Sequence, residues 1–477
     1  MESIETGVPQ MGFEYDWVVL GDSAASIRSA SLAARWGARV ALILPSHSPR
    51  QKIETAQIAI SKLQTLTRQA ERAQQWGAAT RSIVDLDLVW TLASGIADNL
   101  ATLRSPAMLA MQGIDVVSGD AQFVKHPTLQ VLVGNRPFRS RAYLIAPSVR
   151  PAVPTVLGLS ETSYTTLATL HKYRRELPKR LAVIGSDAYG ASLAQAYARL
   201  GVDVTLTVDE THIFPTEDPE LARLLQTYLE ADGVRVLTRS PVTQVRKIQD
   251  SLWLQAGELA LETDAISLAS GWDSLSIDLD TANVQTRSGR IPVNTRLQTT
   301  NPRVYACGSI LGGYNDASIE TYEAEIATKN ALVVPVFNAD YYTLPRSTPT
   351  DPPLASVGLS EPQARRRLGD RLVVLKLPFD RVASAQQQED ISGFGKLLVS
   401  DRGQILGAQI LSSNAPALVE LIALAMRRGQ SIEVLSHVSA SHADVIHQFL
   451  ALWRETWLHR HPRWKSLQQA WFDWRRE

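Results

Sequence analysis

Two segments of the chain repeat one local pattern: an apolar strand, a glycine, an alanine-rich helix and a second apolar strand. In the first, residues 15–44, YDWVVL precedes Gly21 and VALIL follows the helix. In the second, residues 181–208, LAVI precedes Gly185 and VDVTLTV ends the unit. Strand, tight glycine turn, helix and strand are typical of a βαβ unit. Because the units lie far apart in the chain, they predict two nucleotide-binding-type domains rather than a short repeat.

Length, charge and hydropathy narrow the class of protein. The 477 residues predict about three domains. Lys plus Arg and Asp plus Glu number 48 each, and this balance argues against binding to nucleic acid through phosphate contacts. No apolar run reaches the roughly 18 residues of a membrane span. Residues 1–17 have neither the basic nor the apolar region of a secretory signal. We therefore expect a cytoplasmic protein that does not bind nucleic acid.

The rest of the chain divides between helical and strand-like patterns. Residues 51–112 are rich in Gln, Ala and Arg with helical spacing, whereas 113–150 and 234–300 resemble strands. The sequence RVYACGS at 303–309 is typical of a buried strand that enters a turn. A Pro-rich segment at 344–353, followed by strands and an amphipathic helix, predicts the start of a further domain.

The C-terminal segment 451–477 differs in composition from the rest. Large apolar side chains recur there mostly three or four residues apart among Arg and Lys, at Trp453, Trp457, Trp464, Leu467, Trp471 and Trp474. Pro462 predicts a break in any continuous helix. Tryptophan beside basic residues suits a membrane headgroup boundary or a protein interface. Residues 453–474 are therefore expected to contact a partner protein or a membrane surface, placing the protein peripherally on a membrane, or to form a strap packed on a dimer.

Seven short segments occur in a fixed order across residues 15–450. They are YDWVVLG (15–21), AYLIAPSVRPAVP (142–154), KRLAVIG (179–185), EDPE (217–220), TTNPRVYACGS (299–309), ASVGLSE (355–361) and GQILGAQIL (403–411). In this order the chain resembles the pyridine nucleotide-disulfide oxidoreductase family, the flavoproteins related to dihydrolipoamide dehydrogenase and mercuric reductase.

The resemblance implies an α/β fold with two Rossmann-like dinucleotide-binding domains and an α+β C-terminal dimerisation domain. The FAD-type domain would be discontinuous, comprising residues 1–150 and 266–345. The NAD(P)-type domain, 151–265, would lie between its two parts. Residues 346–450 would form the interface of a homodimer, followed by the Trp-rich basic tail 451–477. The family's cofactors, FAD and NAD(P), become the expected ligands.

The first glycine loop departs from the family pattern. In G-x-G-x-x-G, the first glycine forms the turn, the second lets the backbone approach the pyrophosphate, and the third lets helix pack on strand. The FAD-type loop keeps only Gly21, with Ser23 and Ser26 at the other two positions. It is compatible both with a relaxed FAD site at these three residues and with a turn kept only for packing.

The second glycine loop departs differently. It keeps Gly185 and Gly190 but has Asp187 between them. A carboxylate at a helix N-terminus caps the helix itself and opposes a pyrophosphate, which disfavours NAD(P). The family has a ribose-binding acid at the end of the next strand, and that position is Val208 here. The neighbouring Asp209 is a candidate substitute, one residue out of register.

Two further acidic positions of the FAD-type domain are lost. Leu44 ends the strand after which the family has a ribose-binding acid. The family's A-x-G-D, whose Asp binds the ribityl chain, ends here in Gly308-Ser309. A charged hydrogen bond contributes roughly 1.5–3 kcal/mol, so two losses would weaken FAD binding by roughly 10²–10⁴-fold.

The residues of the family's redox chemistry are also missing. Its CxxxxC pair would fall within 45–62, where no cysteine occurs, and Cys307 is the only cysteine of the chain. Because dithiol exchange needs a thiolate and a resolving thiol, we expect no dithiol reductase activity. The family's H-x-H-P-T-x-x-x-E motif retains His442 but has Ala443 for Pro and His447 for Glu. His442 is thus the candidate catalytic residue, with an interface role as the alternative.

Two functions remain open from sequence. The chain is either an FAD-dependent oxidoreductase that passes electrons from NAD(P)H to a non-disulfide acceptor, or a cofactor-free pseudoenzyme. In the second case the scaffold would serve as a homodimeric binding protein, with the Trp-rich tail contacting a partner or membrane surface. No metal site is expected, because the spacing of the C-terminal histidines spreads them around a helix.

Overall fold

The first βαβ unit opens a parallel sheet. The computed structural model describes residues 13–77, 84–125, 128–185, 187–249, 251–274, 278–313, 316–387, 390–438 and 440–476. The elements of its first part are β1 (Tyr15–Leu20), α1 (Ala24–Arg35), β2 (Val40–Leu44), α2 (Arg50–Gln75), α3 (Leu86–Leu103), α4 (Pro106–Ala110), β3 (Ile114–Ser118), β4 (Ala121–Val124), β5 (Gln130–Val133), β6 (Arg136–Phe138), β7 (Ser140–Ile145) and β8 (Val149–Pro151). Strands β4, β5 and β6 form a separate antiparallel sheet.

The second βαβ unit builds another parallel sheet. Its elements are β9 (Arg180–Ile184), α5 (Ala188–Arg199), β10 (Asp203–Thr207), α6 (Pro219–Ala231), β11 (Val234–Leu237), β12 (Val242–Ile248), β13 (Ser251–Ala256), β14 (Leu259–Thr263), β15 (Ala265–Leu268) and β16 (Trp272–Ser274). The sheet order is β11-β10-β9-β15, beside an antiparallel β12-β13-β14 sheet. Because β15 pairs with β9, the unit extends past the boundary predicted at residue 265. The short pair β16-β8 links the two units.

The chain then returns to the first sheet through β17 (Val304–Ala306) and α7 (Ala317–Leu332). The completed order is β17-β7-β1-β2-β3, with every pair parallel. Such a sheet needs cover on both faces, and residues 17–20 of β1 are accordingly buried. Residues 278–303 form no named strand, contrary to the pattern-based prediction. Their apolar side chains pack into the core from a loop instead.

The C-terminal domain is an antiparallel sheet packed against helices. Its elements are β18 (Arg346–Ser347), β19 (Leu354–Gly358), α8 (Glu361–Leu368), β20 (Leu372–Pro378), α9 (Ala383–Gln387), β21 (Phe394–Ser400), β22 (Ile405–Leu411), α10 (Ala415–Arg427), α11 (Ala440–Arg460) and α12 (Pro462–Arg476). The sheet order is β18-β19-β22-β21-β20. Two Rossmann-like units and this α+β domain confirm the predicted fold class.

A buried ionic cluster joins the second unit to the C-terminal domain. Lys396, whose side chain is 1% exposed, lies 2.8 Å from Asp218, 2.6 Å from Glu220 and 2.9 Å from Glu361. Asp218 also caps α6. A buried charge is tolerated only when it is paired, so the contacts of Lys396 with Asp218 and Glu220 tie the second unit to the C-terminal domain, while Glu361 pairs with Lys396 from within that domain.

The predicted tail begins inside the C-terminal core. Trp453 on α11 is 5% exposed and belongs to the hydrophobic cluster of that domain. The helix break predicted at Pro462 is present, since α11 ends at Arg460 and α12 starts at Pro462. Among the described residues, none of the helices combines the length and hydropathy that a bilayer-crossing segment needs.

Candidate functional site

Gly21 brings two loops of the first sheet into direct contact. It follows β1 with a φ of +128°, and a Cβ there would lie 2.1 Å from the carbonyl oxygen of Ala146. Its N–H donates to the carbonyl of Ile43 at 2.9 Å. Neither the conformation nor the close approach is available to a residue with a side chain. The one glycine that this loop retains is therefore required by the backbone.

The two serines of the first loop direct their hydroxyl groups into the protein. The Ser23 hydroxyl donates to the carbonyl of Ala146 at 2.8 Å and accepts from the N–H of Ser26 at 3.2 Å, which caps α1. The Ser26 hydroxyl donates to the carbonyl of Ser23 at 2.9 Å. Both side chains are buried. They complete the turn without projecting a polar group outward from the N-terminus of α1.

Two cavities flank this turn. One, of about 300 Å³, lies at the ends of β1 and β2 and is lined by Gly21, Ile43, Pro147 and Arg150. The other, of about 230 Å³, is lined by Ser23, Ala24, Ser148, Val149 and the start of α7. Loops 20–24 and 147–150 thus contribute to both. Ligands of open α/β sheets bind outside the carboxyl ends of the strands, where these cavities are.

Two arginines and a glutamate form one wall of the 230 Å³ cavity. Arg104 makes two hydrogen bonds of 2.8 Å to the carboxylate of Glu54, and Arg50 lies 3.0 Å from the same group. Burial opposes the charge, but Arg104 and Arg50 together lower the pKa of Glu54. Arg50 also donates to the backbone carbonyl of Asp22. The wall therefore carries a net positive charge beside the N-terminus of α1.

A buried carboxyl group faces the same cavity from α7. Glu320 is 7% exposed, lines the cavity and accepts a hydrogen bond from the backbone of Ser309. Burial and the neighbouring Glu323 raise the pKa of Glu320 to about 7. Glu323 accepts from the N–H of Gly308 at 2.6 Å. Among the described residues, the buried Ser309 hydroxyl has no hydrogen-bond partner. The turn that lost the family's Asp thus lies against two acids from another element.

The second loop is closed by its own side chain. Gly185 has a φ of +97°, and a Cβ there would lie 2.4 Å from the carbonyl oxygen of Ala269. The carboxylate of Asp187 accepts from the N–H of Gly190 at 2.6 Å and caps α5, as the sequence predicted. Burial raises the pKa of Asp187 to about 7, despite hydrogen bonds from the backbone of Gly190 and Tyr189. The helix N-terminus that should receive a pyrophosphate is already capped.

In the described part of the second unit, the position of the ribose-binding acid is occupied by Val208. Strand β10 ends at Thr207, Val208 is buried, and Asp209 is exposed beyond the strand end. Where the two units meet, the ring of Tyr189 stands edge-on to Trp272, with centroids 6.4 Å apart. Both residues line the 230 Å³ cavity, so this cavity lies between the two glycine loops.

The single cysteine does not stand in a reactive setting. Cys307 is fully buried at the end of β17. Burial raises the pKa of its thiol well above the usual value, with Glu323 and Glu320 adding to the shift. His442 lies in the first turns of α11, but its side chain is outside the described part of the structure.

A larger cavity lies elsewhere. It measures about 600 Å³ and is bordered by residues of α2 and α3 and of the 3-10 helix Leu167–Tyr173. Its lining shares no residue with either glycine loop. We therefore assign the candidate site to the paired cavities around Gly21, which lie at the strand ends, rather than to this larger cavity.

The comparisons with known proteins agree with this geometry. The family model described as pyridine nucleotide-disulphide oxidoreductase matches residues 15–327, and the model of its dimerisation domain matches 344–446. The chain belongs to this family. Members of the family bind FAD and NAD(P)H, and the dimerisation domain indicates that they form homodimers.

Similar proteins include several mercuric reductases. The enzyme of Staphylococcus aureus is 30% identical over 449 residues, which cover 89% of this chain and 79% of that protein. Among solved structures, the Cu(II) complex of the flavoprotein disulfide reductase RclA of Escherichia coli has a TM-score of 0.78 at 23% identity, covering 93% and 99% of the two chains. LpdA of Mycobacterium tuberculosis has a TM-score of 0.82 at 20% identity, covering 92% and 99%.

Most of the candidate residues predicted from sequence lie in the glycine loops, but the other residues that form the cavity walls were not predicted. Gly21, Ser23 and Ser26 lie together, and Gly308 and Ser309 join them through Glu320. Gly185 and Gly190 form the second turn, whereas Asp209 lies apart. The residues that were missed are Arg50, Glu54, Arg104, Tyr189, Trp272 and Glu320. The sequence contained a signal for one of them, Glu320. This acid lies 11 residues after Ser309, in the first turn of the next helix.

Proposed function

We propose that this chain is a flavoprotein that binds FAD around Gly21 and uses it in an oxidoreductase reaction. The observation that carries the proposal is the pair of cavities on the two sides of the first turn, left open because Ser23 and Ser26 point inward. A dinucleotide has two lobes joined by a pyrophosphate, and a helix N-terminus favours that anion. The N-terminus of α1 stands where the lobes would meet.

The residues present divide the work of binding. Backbone groups at the start of α1 and the side chain of Arg50 would receive the pyrophosphate. Glu320, which lines the 230 Å³ cavity, would meet the polyol part of the cofactor, because a buried carboxyl group accepts hydrogen bonds from hydroxyl groups. Ser309 would assist, because its backbone donates to Glu320 and its hydroxyl has no partner among the described residues. FAD, when bound, would supply the electron transfer, since no described side chain of the site has redox chemistry of its own.

We further propose that the reaction is not dithiol exchange. The only cysteine is Cys307, whose burial disfavours the thiolate that attacks a disulfide. An acceptor that takes electrons from a flavin without a protein thiol, such as a quinone, a dye or oxygen, fits this chain. Turnover of lipoamide, glutathione disulfide or Hg²⁺ by protein free of contaminating reductases would contradict this part of the proposal.

NAD(P)H is the proposed electron donor, but the structure supports weak binding. Asp187 occupies the N-terminus of α5 with a carboxylate that repels phosphate at pH above about 7. Asp209, the candidate proposed for the ribose, is exposed beyond β10.

His442 stays a candidate catalytic residue, to be tested by His442→Gln, which should leave flavin content unchanged.

A homodimer through the C-terminal domain, residues 346–450, completes the proposal, together with a contact surface on the tail. Trp453 is buried and Trp457 packs against the core. The contact surface predicted at 453–474 is therefore restricted to α12, where Trp464, Trp471 and Trp474 are exposed.

A cofactor-free pseudoenzyme is the second candidate, and one observation favours it. Each glycine loop satisfies its own helix N-terminus, through Ser23 in the first and Asp187 in the second. A helix that is already capped gains less from a bound phosphate. In this case the α/β units would serve only as a scaffold for the dimer and for α12.

An absorbance spectrum from 300 to 550 nm distinguishes the two functions. Purified native protein, or protein incubated with excess FAD and then desalted, should show the two bands of bound flavin. Bleaching by NADH without air would then establish the donor. A spectrum that stays featureless after reconstitution would leave the pseudoenzyme as the explanation.

A further inference from the structure

Helix α12 has an apolar face that is mostly exposed in the described structure. None of its residues is buried. Trp464, Leu467, Trp471 and Trp474 are 59%, 62%, 54% and 65% exposed. Their spacing of three, four and three residues places them on one face of the helix. Exposed large apolar residues in such a cluster mark an interaction surface.

The residues just before α12 pack on the C-terminal domain and hold the N-terminal end of the helix. Trp457, at the end of α11, packs against the domain core and stacks on His461 with centroids 4.3 Å apart. Trp464 lies 6.3 Å from Trp457. Arg460 donates to the backbone carbonyl of Asp370 before β20 at 3.3 Å and to that of Leu372 at the start of β20 at 3.4 Å. The helix is thus presented in a defined direction from a fixed base.

The charges on α12 indicate what covers its apolar face. The helix has four basic residues, Arg463, Lys465, Arg475 and Arg476, and one acid, Asp473, for a net charge of +3. A second copy of the helix would bring like charges together, which opposes association. Three of the four residues on the apolar face are tryptophan, which favours the boundary between hydrocarbon and headgroups. Both features suit an anionic bilayer.

We propose that α12 lies in the surface of a bilayer that contains anionic lipid, with its tryptophan face in the headgroup region. The proposal rests on the contact surface proposed above for α12 and identifies its partner. Helices that combine a tryptophan face with basic flanks bind in the plane of the interface. With 15 residues, α12 is shorter than the roughly 20 residues that cross a bilayer. In a homodimer, two such helices would act together and strengthen a weak single contact.

Co-sedimentation of the full chain with vesicles tests the proposal. Vesicles of phosphatidylcholine with 30% phosphatidylglycerol should carry the protein into the pellet at low salt, and vesicles of phosphatidylcholine alone should carry at least tenfold less. High salt should release it, because surface charges are screened. Lys465→Gln with Arg475→Gln should weaken binding roughly 25-fold, since each basic residue near an anionic surface contributes about a factor of five.

A triple variant, Trp464→Ser, Trp471→Ser and Trp474→Ser, should abolish pelleting. Because none of these side chains is buried, its far-UV circular dichroism and melting temperature should match the wild type. The matched control replaces Trp36 and Trp76, which are 45% and 78% exposed outside the tail, and should bind as the wild type does.

Three results would overturn the proposal. Absence of pelleting with anionic vesicles would show that bilayers are not the partner, leaving the flavin proposal untouched. Equal pelleting by the triple tryptophan variant would show that another surface binds lipid. Concentration-dependent self-association without vesicles, lost in the triple variant, would show that a second copy covers α12.

Discussion

The two glycine loops solve the same structural problem with different chemistry. Each needs its first glycine, because Gly21 and Gly185 touch a neighbouring loop where no Cβ fits. Each also caps its own helix, but the first does so with the neutral hydroxyl of Ser23 and the second with the carboxylate of Asp187. Neutral caps leave a helix N-terminus attractive to an anion, whereas a carboxylate occupies it.

The two loops also differ in the cavities beside them. Cavities of about 300 and 230 Å³ open on both sides of the first loop, and Arg50 lies beside the second of these. None of Gly185, Asp187 and Gly190 lines either cavity, although Tyr189 of the second loop borders the smaller one. The N-terminus of α1 thus adjoins open space, whereas that of α5 is capped by a carboxylate, although the first loop has fewer of the motif's glycines. Counting glycines misjudges a loop when the substituted side chains turn inward.

The largest expected effect comes from Gly21→Ala. The alanine Cβ would meet the carbonyl oxygen of Ala146 at 2.1 Å in a left-handed conformation, so the loop must separate from its neighbour. We expect a loss of at least about 3 kcal/mol in the free energy of unfolding, together with loss of bound flavin. Chemical denaturation with flavin absorbance measures both.

The matched control is Gly95→Ala on α3, where a Cβ would meet nothing within 4 Å. Alanine favours a helix over glycine by about 1 kcal/mol, so this variant should be as stable as the wild type or more stable. If Gly21→Ala unfolds like Gly95→Ala, the contact between the two loops does not hold the first site together.

The next effect concerns the acid at the first site. Glu320→Ala should weaken FAD binding by roughly 10–100-fold, because a charged hydrogen bond contributes about 1.5–3 kcal/mol. Adding Ser309→Asp to Glu320→Ala returns a carboxylate to the position of the family pattern and should recover most of the affinity. Fluorescence titration with FAD gives the dissociation constants.

Glu325→Ala on the same helix is the control, since Glu325 pairs with Arg28 at the partly exposed surface and does not line the cavity. Unchanged affinity in Glu320→Ala, or loss of affinity in both variants, would show that Glu320 has no role of its own in binding.

These residues show how far the sequence predicts the site. The two βαβ units, the glycine turns and the cap by Asp187 follow from local patterns, because hydrophobic period and helix capping depend on residues close in the chain. The inward direction of Ser23 depends on Ala146, more than 120 residues away. The wall formed by Arg104 and Glu54 joins two helices. Side-chain contacts between distant segments carry no local pattern, so the cavities were beyond prediction.

A smaller effect is expected at the second loop. Asp187→Gly restores the middle glycine of the motif and removes a negative charge from the N-terminus of α5. We expect the KM for NADH in flavin reduction to fall about tenfold, the equivalent of about 1.4 kcal/mol. Glycine replaces an N-cap residue at a cost of only a few tenths of a kcal/mol, so stability should hardly change. Anaerobic stopped-flow measurement of flavin bleaching gives the KM, and Asp209→Gly, exposed beyond β10, serves as control.

The smallest effect is a pH dependence that separates the two caps. Since burial raises the pKa of Asp187 from 3.8 to about 7, the folded chain keeps a proton that the unfolded chain loses between these values. Stability should therefore fall as pH rises from about 4 to 7. Asp187→Asn should flatten that slope, leaving the part due to Glu320, whereas Ser23→Ala should lower stability equally at every pH. Urea denaturation at pH 5 and pH 8 gives the free energy of unfolding of each variant. If its pH dependence is the same in Asp187→Asn as in the wild type, the Asp187 carboxyl is ionised throughout and neither cap titrates.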